Sequence, residues 1–117
     1  PVLYDLGHQV TMIDGDHDLF GDGAITCLPT PGPSIGHQSL RVVTVDGPVV
    51  LASDACYFTR TLDGGALPSF GHDLEEQKRS LERLRAERSA GAEVIPGHDP
   101  EVWRRLLASA GTPRSRP

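Results

Sequence analysis

The sequence predicts an α/β or α+β fold in which helices cover one face of a mixed β-sheet. Short β-branched and apolar runs separated by Gly and Pro dominate the first half of the chain. After residue 73 the apolar residues recur at the spacing of an α-helix, and a short predicted strand lies between two predicted helices. The chain has 117 residues, including 13 Gly and 10 Pro, so we expect one domain or part of one, built of short elements with many turns.

The predicted strands are short, and most of them end at turn residues. Five runs fit strands, namely Gln9–Ile13, Ala24–Leu28, Ser39–Val45, Val49–Ala52 and Val94–Ile95. The third and fourth flank Asp46–Pro48, which is a hairpin signature. Because the fourth run is continuously apolar, we expect a strand that is covered on both faces.

Two helices are predicted near the end of the chain. Asp73 with Glu76 three residues later is a helix-start signal, and the helix is expected to end near Gly91. The last helix begins with Asp99 as its cap and Pro100 in its first turn. Leu74, Leu81 and Leu84 fall on one side of the first helix, and the second should bury Val102, Trp103, Leu106 and Leu107. Residues 58–72 are predicted to be a long loop, and residues 111–117 a loose tail.

Charge and cysteine usage exclude several classes. Residues 1–73 carry nine acidic and two basic side chains, and the formal net charge of the chain is −5. Because nucleic-acid recognition needs a clustered basic face, no nucleic-acid partner is expected. No apolar run approaches the ~18 residues of a membrane span, so no membrane partner is expected. Without a signal peptide, Cys27 and Cys56 are expected to be free apolar residues in a reducing, cytoplasmic compartment.

Three candidate metal ligands share one structural context. His37 precedes a predicted strand, whereas Asp54 and His98 each follow one, so each lies where a loop meets a strand. Two imidazoles and one carboxylate are a common ligand set of catalytic zinc or iron sites. Spacings of 17 and 44 residues are too long for a local zinc knuckle, so only the fold could assemble them. The alternative is that each residue is a polar loop residue or a cap.

The acidic segment Asp14–Asp18 has the composition of a calcium-binding loop but not its residue pattern. Leu19 and Ile25 stand where a calcium loop of the EF-hand type requires Gly and Glu. We therefore expect an acidic turn that joins two strands, with His8 and His17 at the surface.

Two further residues have a functional and an ordinary interpretation. His72 precedes a helix cap, where it is either a simple helix-entry residue or part of a substrate pocket. Tyr57 lies three residues after Asp54. Its phenol could donate a hydrogen bond to a substrate carbonyl, or the ring could simply pack.

Four segments carry the motifs of one family. Thr30–Leu40 is similar to the pattern T-P-G-H-T-x-G-H-x-S-L, in which the last His is a metal ligand and corresponds to His37. Leu51–Tyr57 resembles a strand whose Asp bridges two metal ions, here Asp54. In that family the Tyr three residues later, here Tyr57, contacts the carbonyl of a lactone.

Two segments complete the resemblance. Pro96–Pro100 matches the segment that supplies the final His ligand, here His98, and Ile13–Gly23 resembles a strand-joining segment. Together these residues resemble the carboxy-terminal half of the metallo-β-lactamase superfamily, and within it the N-acyl homoserine lactonases. The resemblance implies that residues 1–110 form half of a four-layer αββα sandwich.

Two departures from the family pattern affect the prediction. Pro33 replaces the first His of T-P-G-H, which should change the shape of the loop and not the number of metal ions. The family's H-x-H-x-D-H motif, which supplies most of the ligands, is absent. Since the chain begins with Pro1 and its first Met is Met12, we expect a fragment whose missing amino-terminal half carries that motif.

The function implied by the resemblance belongs to the complete protein. It is a hydrolase with two zinc ions, in which His37 holds one ion, His98 the other, and Asp54 bridges them. A metal-bound hydroxide would open the lactone, whose carbonyl Tyr57 helps to polarise. Because three ligands cannot saturate two zinc ions, this chain alone is expected to be inactive or nearly so. The alternatives are an esterase or thioesterase of the glyoxalase II type, a phosphodiesterase, or a truncated domain that only packs against a partner.

Overall fold

Five strands and three helices position the candidate residues. The structure is a computed structural model that describes residue 7, residues 9–64 and residues 73–110. His8, His72 and the tail at 111–117 lie outside the described residues. The elements are β1 His17–Asp18, β2 Ile25–Pro29, β3 Gln38–Thr44, β4 Gly47–Ser53, α1 Thr59–Leu62, α2 Leu74–Ser89, β5 Glu93–Pro96 and α3 Pro100–Ala110.

The strands form one mixed sheet in the order β1-β2-β3-β4-β5. The first four pair antiparallel in succession, and β3 and β4 form the predicted hairpin, in which Thr44 is opposite Gly47. Strands β4 and β5 are parallel. A parallel pair needs a long crossover connection, which α2 supplies. The predicted mixed-sheet class is confirmed.

Helix α2 packs on one face of the sheet. Its Leu81 and Leu84 are buried in one cluster with Leu28, Val50 and Ala52 of β2 and β4. Side chains alternate along a strand, so these strand residues share the face toward α2. The predicted covering of one face by a helix therefore holds for α2.

Helix α2 begins and ends as its sequence predicts. The Asp73 side chain accepts hydrogen bonds from the backbone N–H groups of Glu75 and Glu76, as a helix cap does. Beyond the last turn, Gly91 has φ +110°, a conformation that favours glycine. Leu74 is 47% exposed, so it does not share the buried side of Leu81 and Leu84 as predicted.

The second face of the sheet is only partly covered by the described residues. Cys27, Leu40, Leu51 and Ile95 lie opposite one another across four strands. Leu51 is nevertheless 37% exposed, whereas Val50 is fully buried. The prediction that Val49–Ala52 is covered on both faces is therefore wrong for the described residues, because α2 covers only alternate side chains.

The predicted strand at Gln9–Ile13 is not formed. Val10 and Met12 are 80% and 90% exposed, and β2 pairs with the two residues of β1 instead. The Asp14–Asp18 segment therefore contributes a short edge strand and does not join two longer ones. Propensity alone does not make a strand where no neighbouring strand accepts its hydrogen bonds.

The acidic segment is held by its own carboxylates. The Asp18 side chain accepts hydrogen bonds from the backbone N–H groups of Gly21 and Gly23, at 3.0 and 2.8 Å. Asp18 therefore stabilises the turn between β1 and β2.

Alternating charges connect this segment to α2. Asp16 pairs with Arg83 at 2.7 Å, Arg83 with Glu87 at 3.4 Å, and Glu87 with Arg41 of β3 at 3.1 Å. The hydrogen bonds from Arg83 lower the pKa of the Asp16 carboxyl, and Asp16 in turn raises the pKa of Arg83.

Two predictions about the helical regions are wrong. The predicted loop at 58–72 contains the one-turn helix α1 within its described part, because Leu62 packs into the core. Of the four residues predicted to be buried in α3, Val102 and Leu106 are only half-buried, and Trp103 and Leu107 are exposed. Trp103 and Leu107 are 40% and 71% exposed, and the described part of the chain buries no residue of α3. An apolar stripe shows where a helix could pack and not what covers it.

Both cysteines are buried free thiols, as predicted. Burial raises the pKa of the Cys56 thiol, which keeps it protonated and unreactive. Among the helices that the structure describes, none has the length and apolar character needed to cross a membrane.

Candidate functional site

The ends of three neighbouring strands meet at one edge of the sheet. His37 directly precedes β3, Asp54 directly follows β4, and His98 lies two residues after β5. Because β3 is antiparallel to β4 and β5 is parallel to it, the start of β3 and the ends of the other two strands share this edge. The topology therefore brings together residues that are 17 and 44 positions apart.

Asp54 is contacted by both imidazoles. Its Oδ1 lies 2.7 Å from Nε2 of His98, and its backbone N–H donates to Nε2 of His37 at 3.2 Å. The side chains of Asp54 and His98 are 48% and 52% exposed, so a small molecule can reach them from solvent. The three predicted metal-ligand residues thus form one contiguous group.

Backbone contacts fix the loop that carries His98. The N–H groups of Gly97 and His98 donate to the carbonyl oxygens of Cys56 and Tyr57, at 2.9 and 3.0 Å. These two hydrogen bonds pair the loop after β5 directly with the loop after β4. This pairing sets the position of the His98 side chain relative to Asp54.

Tyr57 belongs to the same group. Its ring packs against the His98 imidazole, with 4.2 Å between ring centroids and 45° between the planes. A ring packed in this way can also present its phenol to a bound molecule.

Asp99 fixes the segment that carries Tyr57, a role that the sequence does not show. Its Oδ2 accepts a hydrogen bond from the backbone N–H of Thr59 in α1 at 2.9 Å, and its Oδ1 accepts from Glu101 in α3 at 3.2 Å. One carboxylate therefore caps two helices. The hydrogen bond from the Thr59 N–H lowers the pKa of Asp99. The predicted cap of α3 is confirmed, but its second partner lies 40 residues away in the sequence.

The residues present suit part of a metal site. Among residues 9–64 and 73–110, no group of three or more His, Cys, Asp or Glu side chains could hold a metal ion. Asp54 and His98 bond to each other, and His37 accepts a backbone N–H, so a cation would replace these hydrogen bonds. Imidazole nitrogen and carboxylate oxygen are nevertheless the usual ligands of catalytic zinc, so the donor set fits an incomplete ligand shell.

Sequence comparison relates the chain to known enzymes. No protein-family model matches it. It is 40% identical over 94 residues to N-acyl homoserine lactonase AttM of Azorhizobium caulinodans, and 39% identical over 93 residues to AttM of Agrobacterium fabrum. The alignments cover 78% and 77% of this chain but 35% of each relative. The chain therefore spans about a third of the length of these relatives.

Solved structures show the same partial relationship. An N-acyl homoserine lactone hydrolase with N-hexanoyl-L-homoserine at its catalytic metal centre matches with a TM-score of 0.71 and 32% identity. A quorum-quenching N-acyl homoserine lactone hydrolase matches with a TM-score of 0.69 and 33% identity. These matches cover 81% and 78% of this chain, and 38% and 37% of the other chains.

Proposed function

We propose that this chain, which is homologous to part of the N-acyl homoserine lactonases and shares their metallo-β-lactamase fold, forms part of a metal-dependent lactonase. The observation that carries the proposal is the contact of Asp54 with two imidazoles at one sheet edge. These residue types match the ligands of a hydrolytic metal site.

The proposed roles divide between ligands and a substrate contact. His37, Asp54 and His98 supply part of the ligand set, and zinc is the proposed metal. When bound, such a cation polarises a carbonyl and activates water. Tyr57 contacts the substrate, and its phenol donates a hydrogen bond to the carbonyl oxygen as negative charge develops there.

The remaining ligands lie outside this chain in our proposal. The H-x-H-x-D-H motif is absent from the sequence, and the relatives are almost three times as long as the aligned segment. We therefore propose that residues 1–110 are the carboxy-terminal part of a larger catalytic domain, in a cytoplasmic enzyme. The isolated chain is expected to have little or no lactonase activity, because its three ligands leave a metal ion incompletely held.

A chimeric enzyme tests the proposal. The segment of Azorhizobium caulinodans AttM that aligns with this chain is replaced by the chain itself, and opening of an N-acyl homoserine lactone is measured together with the metal content. We expect a folded chimera that binds zinc and hydrolyses the lactone. The His98→Ala variant should lose metal and activity, because it removes one ligand.

The outcomes separate the competing interpretations. A chimera that binds metal and cleaves a thioester or phosphodiester, but no lactone, contradicts the lactonase assignment while leaving the metal site intact. A folded chimera that binds no metal contradicts the whole proposal and supports a non-catalytic domain. The Asp46→Asn variant is the matched control, because Asp46 lies in the β3–β4 turn at the other end of the sheet.

A further inference from the structure

Two buried hydroxyl groups, one of which contacts the His37 imidazole at Nδ1, lie on one side of the ring. Thr30 is fully buried and Ser39 is 1% exposed. The Oγ1 of Thr30 lies 2.9 Å from Nδ1 of His37 and also 2.9 Å from Oγ of Ser39. Ser39 in turn donates to the carbonyl oxygen of Ala52, at 3.2 Å. A chain of hydrogen bonds therefore runs from the imidazole into β4.

The direction of each hydrogen bond follows from the number of protons. A serine hydroxyl has one proton and a carbonyl oxygen only accepts, so Ser39 donates its only proton to the carbonyl oxygen of Ala52. Thr30 must therefore donate its own proton to Ser39. Its Oγ1 is then left as an acceptor toward His37, which requires a hydrogen on Nδ1 of the imidazole.

Two further contacts favour the same tautomer. Nδ1 of His37 also lies 3.1 Å from the carbonyl oxygen of Thr30, which can only accept a hydrogen bond. On the other side of the ring, Nε2 accepts the backbone N–H of Asp54 and so carries a lone pair. The neutral imidazole is therefore held with its proton on Nδ1 and its lone pair facing Asp54.

We propose that Thr30 and Ser39 are positioning residues that fix His37 in the Nδ1–H tautomer. The tautomer follows from the contacts of this chain alone, whereas its consequence for a metal ion rests on the proposed function. An imidazole whose other N–H is hydrogen-bonded presents its free nitrogen in a fixed direction, and losing such a partner typically costs about 10–100-fold in metal affinity.

Nitrogen-15 NMR of the whole chain without metal tests the tautomer directly. Spectra of the histidine rings are recorded at about pH 8.5, where an imidazole is ordinarily neutral, and a His37→Gln variant assigns the His37 signals. We expect His37 to carry its hydrogen on Nδ1. A His37 signal with the hydrogen on Nε2, or an equal mixture of tautomers, overturns the proposal.

Ser39→Ala and Ser80→Ala form a matched pair. Both serines are buried and donate to a backbone carbonyl, but Ser39 also bonds to the Thr30 hydroxyl that reaches His37, whereas Ser80 bonds to the carbonyl oxygen of Pro31. In Ser39→Ala the Thr30 proton is released and can turn toward Nδ1, so the fraction of Nε2–H tautomer should rise. Ser80→Ala should leave the tautomer unchanged. Equal spectra for His37 in both variants overturn the role of Ser39.

Thr30→Val and Thr30→Ser test the hydroxyl of Thr30 in the chimera. Val has nearly the same shape without a hydroxyl, so we expect zinc affinity to fall about 10-fold or more. Ser restores the hydroxyl and should restore most of the affinity. Unchanged affinity in Thr30→Val contradicts the positioning role. If neither the unmodified chimera nor its variants bind zinc, the proposed function is refuted. The tautomer of His37, measured in the chain without metal, tests the positioning role separately.

Discussion

Gly97 lies so close to Ser53 that a Cβ atom at position 97 would be 2.3 Å from the Ser53 carbonyl oxygen. Ser53 itself has φ +51°, and the pairing of β4 with β5 shifts register between Leu51 and Ser53. The loops that carry Asp54 and His98 therefore meet backbone to backbone. Their approach depends on the absence of a side chain at position 97.

The Gly97→Ala variant should be less stable than the wild type. The added methyl group meets a backbone carbonyl that has no rotamer to change, so we expect a loss of about 1–3 kcal/mol in the free energy of unfolding. Gly36→Ala is the control, because its Cβ would meet open space. Urea denaturation measures both. If the two variants were equally stable, the loops that carry Asp54 and His98 could move apart without a cost in stability.

The Asp99→Asn variant should lose a helix cap that an amide cannot replace. Asp99 accepts one N–H on each of its two oxygens, and Asn has only one acceptor oxygen. We expect a loss of roughly 1–2 kcal/mol in unfolding free energy.

Asp73→Asn is the matched control for this cap. Asp73 accepts both of its N–H groups on Oδ1 alone, so an amide oxygen can replace it with little cost. Thermal and urea unfolding of both variants give the comparison. A similar loss in both would contradict the two-oxygen argument.

The Asp16–Arg83 pair should make stability depend on acidity. The pKa of Asp16 is lowered in the folded state by Arg83, so the carboxylate stabilises the fold above the ordinary pKa of 3.8. This contribution should be lost as the pH falls through the lowered folded-state pKa. The side chain of Asp16 is 47% exposed, so the effect should stay below about 1 kcal/mol and weaken in high salt.

Urea denaturation of the wild type and of Asp16→Asn over this pH range measures the effect. The difference between the two proteins should be present at pH 6 and should disappear in strong acid. Asp14→Asn changes a carboxylate of the same segment without touching Arg83. A difference that grows as the pH falls would have the wrong sign for this ion pair.

The Tyr57→Phe variant tests the proposed contact with the substrate. In the chimera, removal of one donor from the developing oxyanion should lower kcat for lactone opening by about 10²-fold. The aromatic ring and its packing on His98 remain, so zinc content should not change. Steady-state kinetics and metal analysis give both readouts. Unchanged kcat would assign Tyr57 a packing role only.

Local signals predicted those parts of the fold that are determined locally. The Asp73 cap and Pro100 mark the first turns of α2 and α3, and Asp46–Pro48 marks the hairpin, because caps and turns act within a few residues. Gln9–Ile13 was predicted from β-branched residues, but strand pairing is decided by neighbours that periodicity does not reveal.

The candidate site also combines features set by local sequence with features set by tertiary packing. The convergence of His37, Asp54 and His98 could be predicted because their residue types and strand-end positions are visible in the sequence. The second partner of Asp99 and the contact of Thr30 with His37 were not found. Their partners are chosen by tertiary packing, and a threonine or a capping aspartate has no distinctive pattern in the sequence.

The crossover between β4 and β5 has a kinetic consequence. The hairpin of β3 and β4 closes over a few residues, whereas the contact of His98 with Asp54 closes a loop of more than 40 residues that includes α2. Non-local contacts of this kind form slowly, because chain entropy is lost before contact energy is gained. During refolding, a signal from the imidazole at position 98 should therefore change last, well after the signal from the hairpin has reached its plateau.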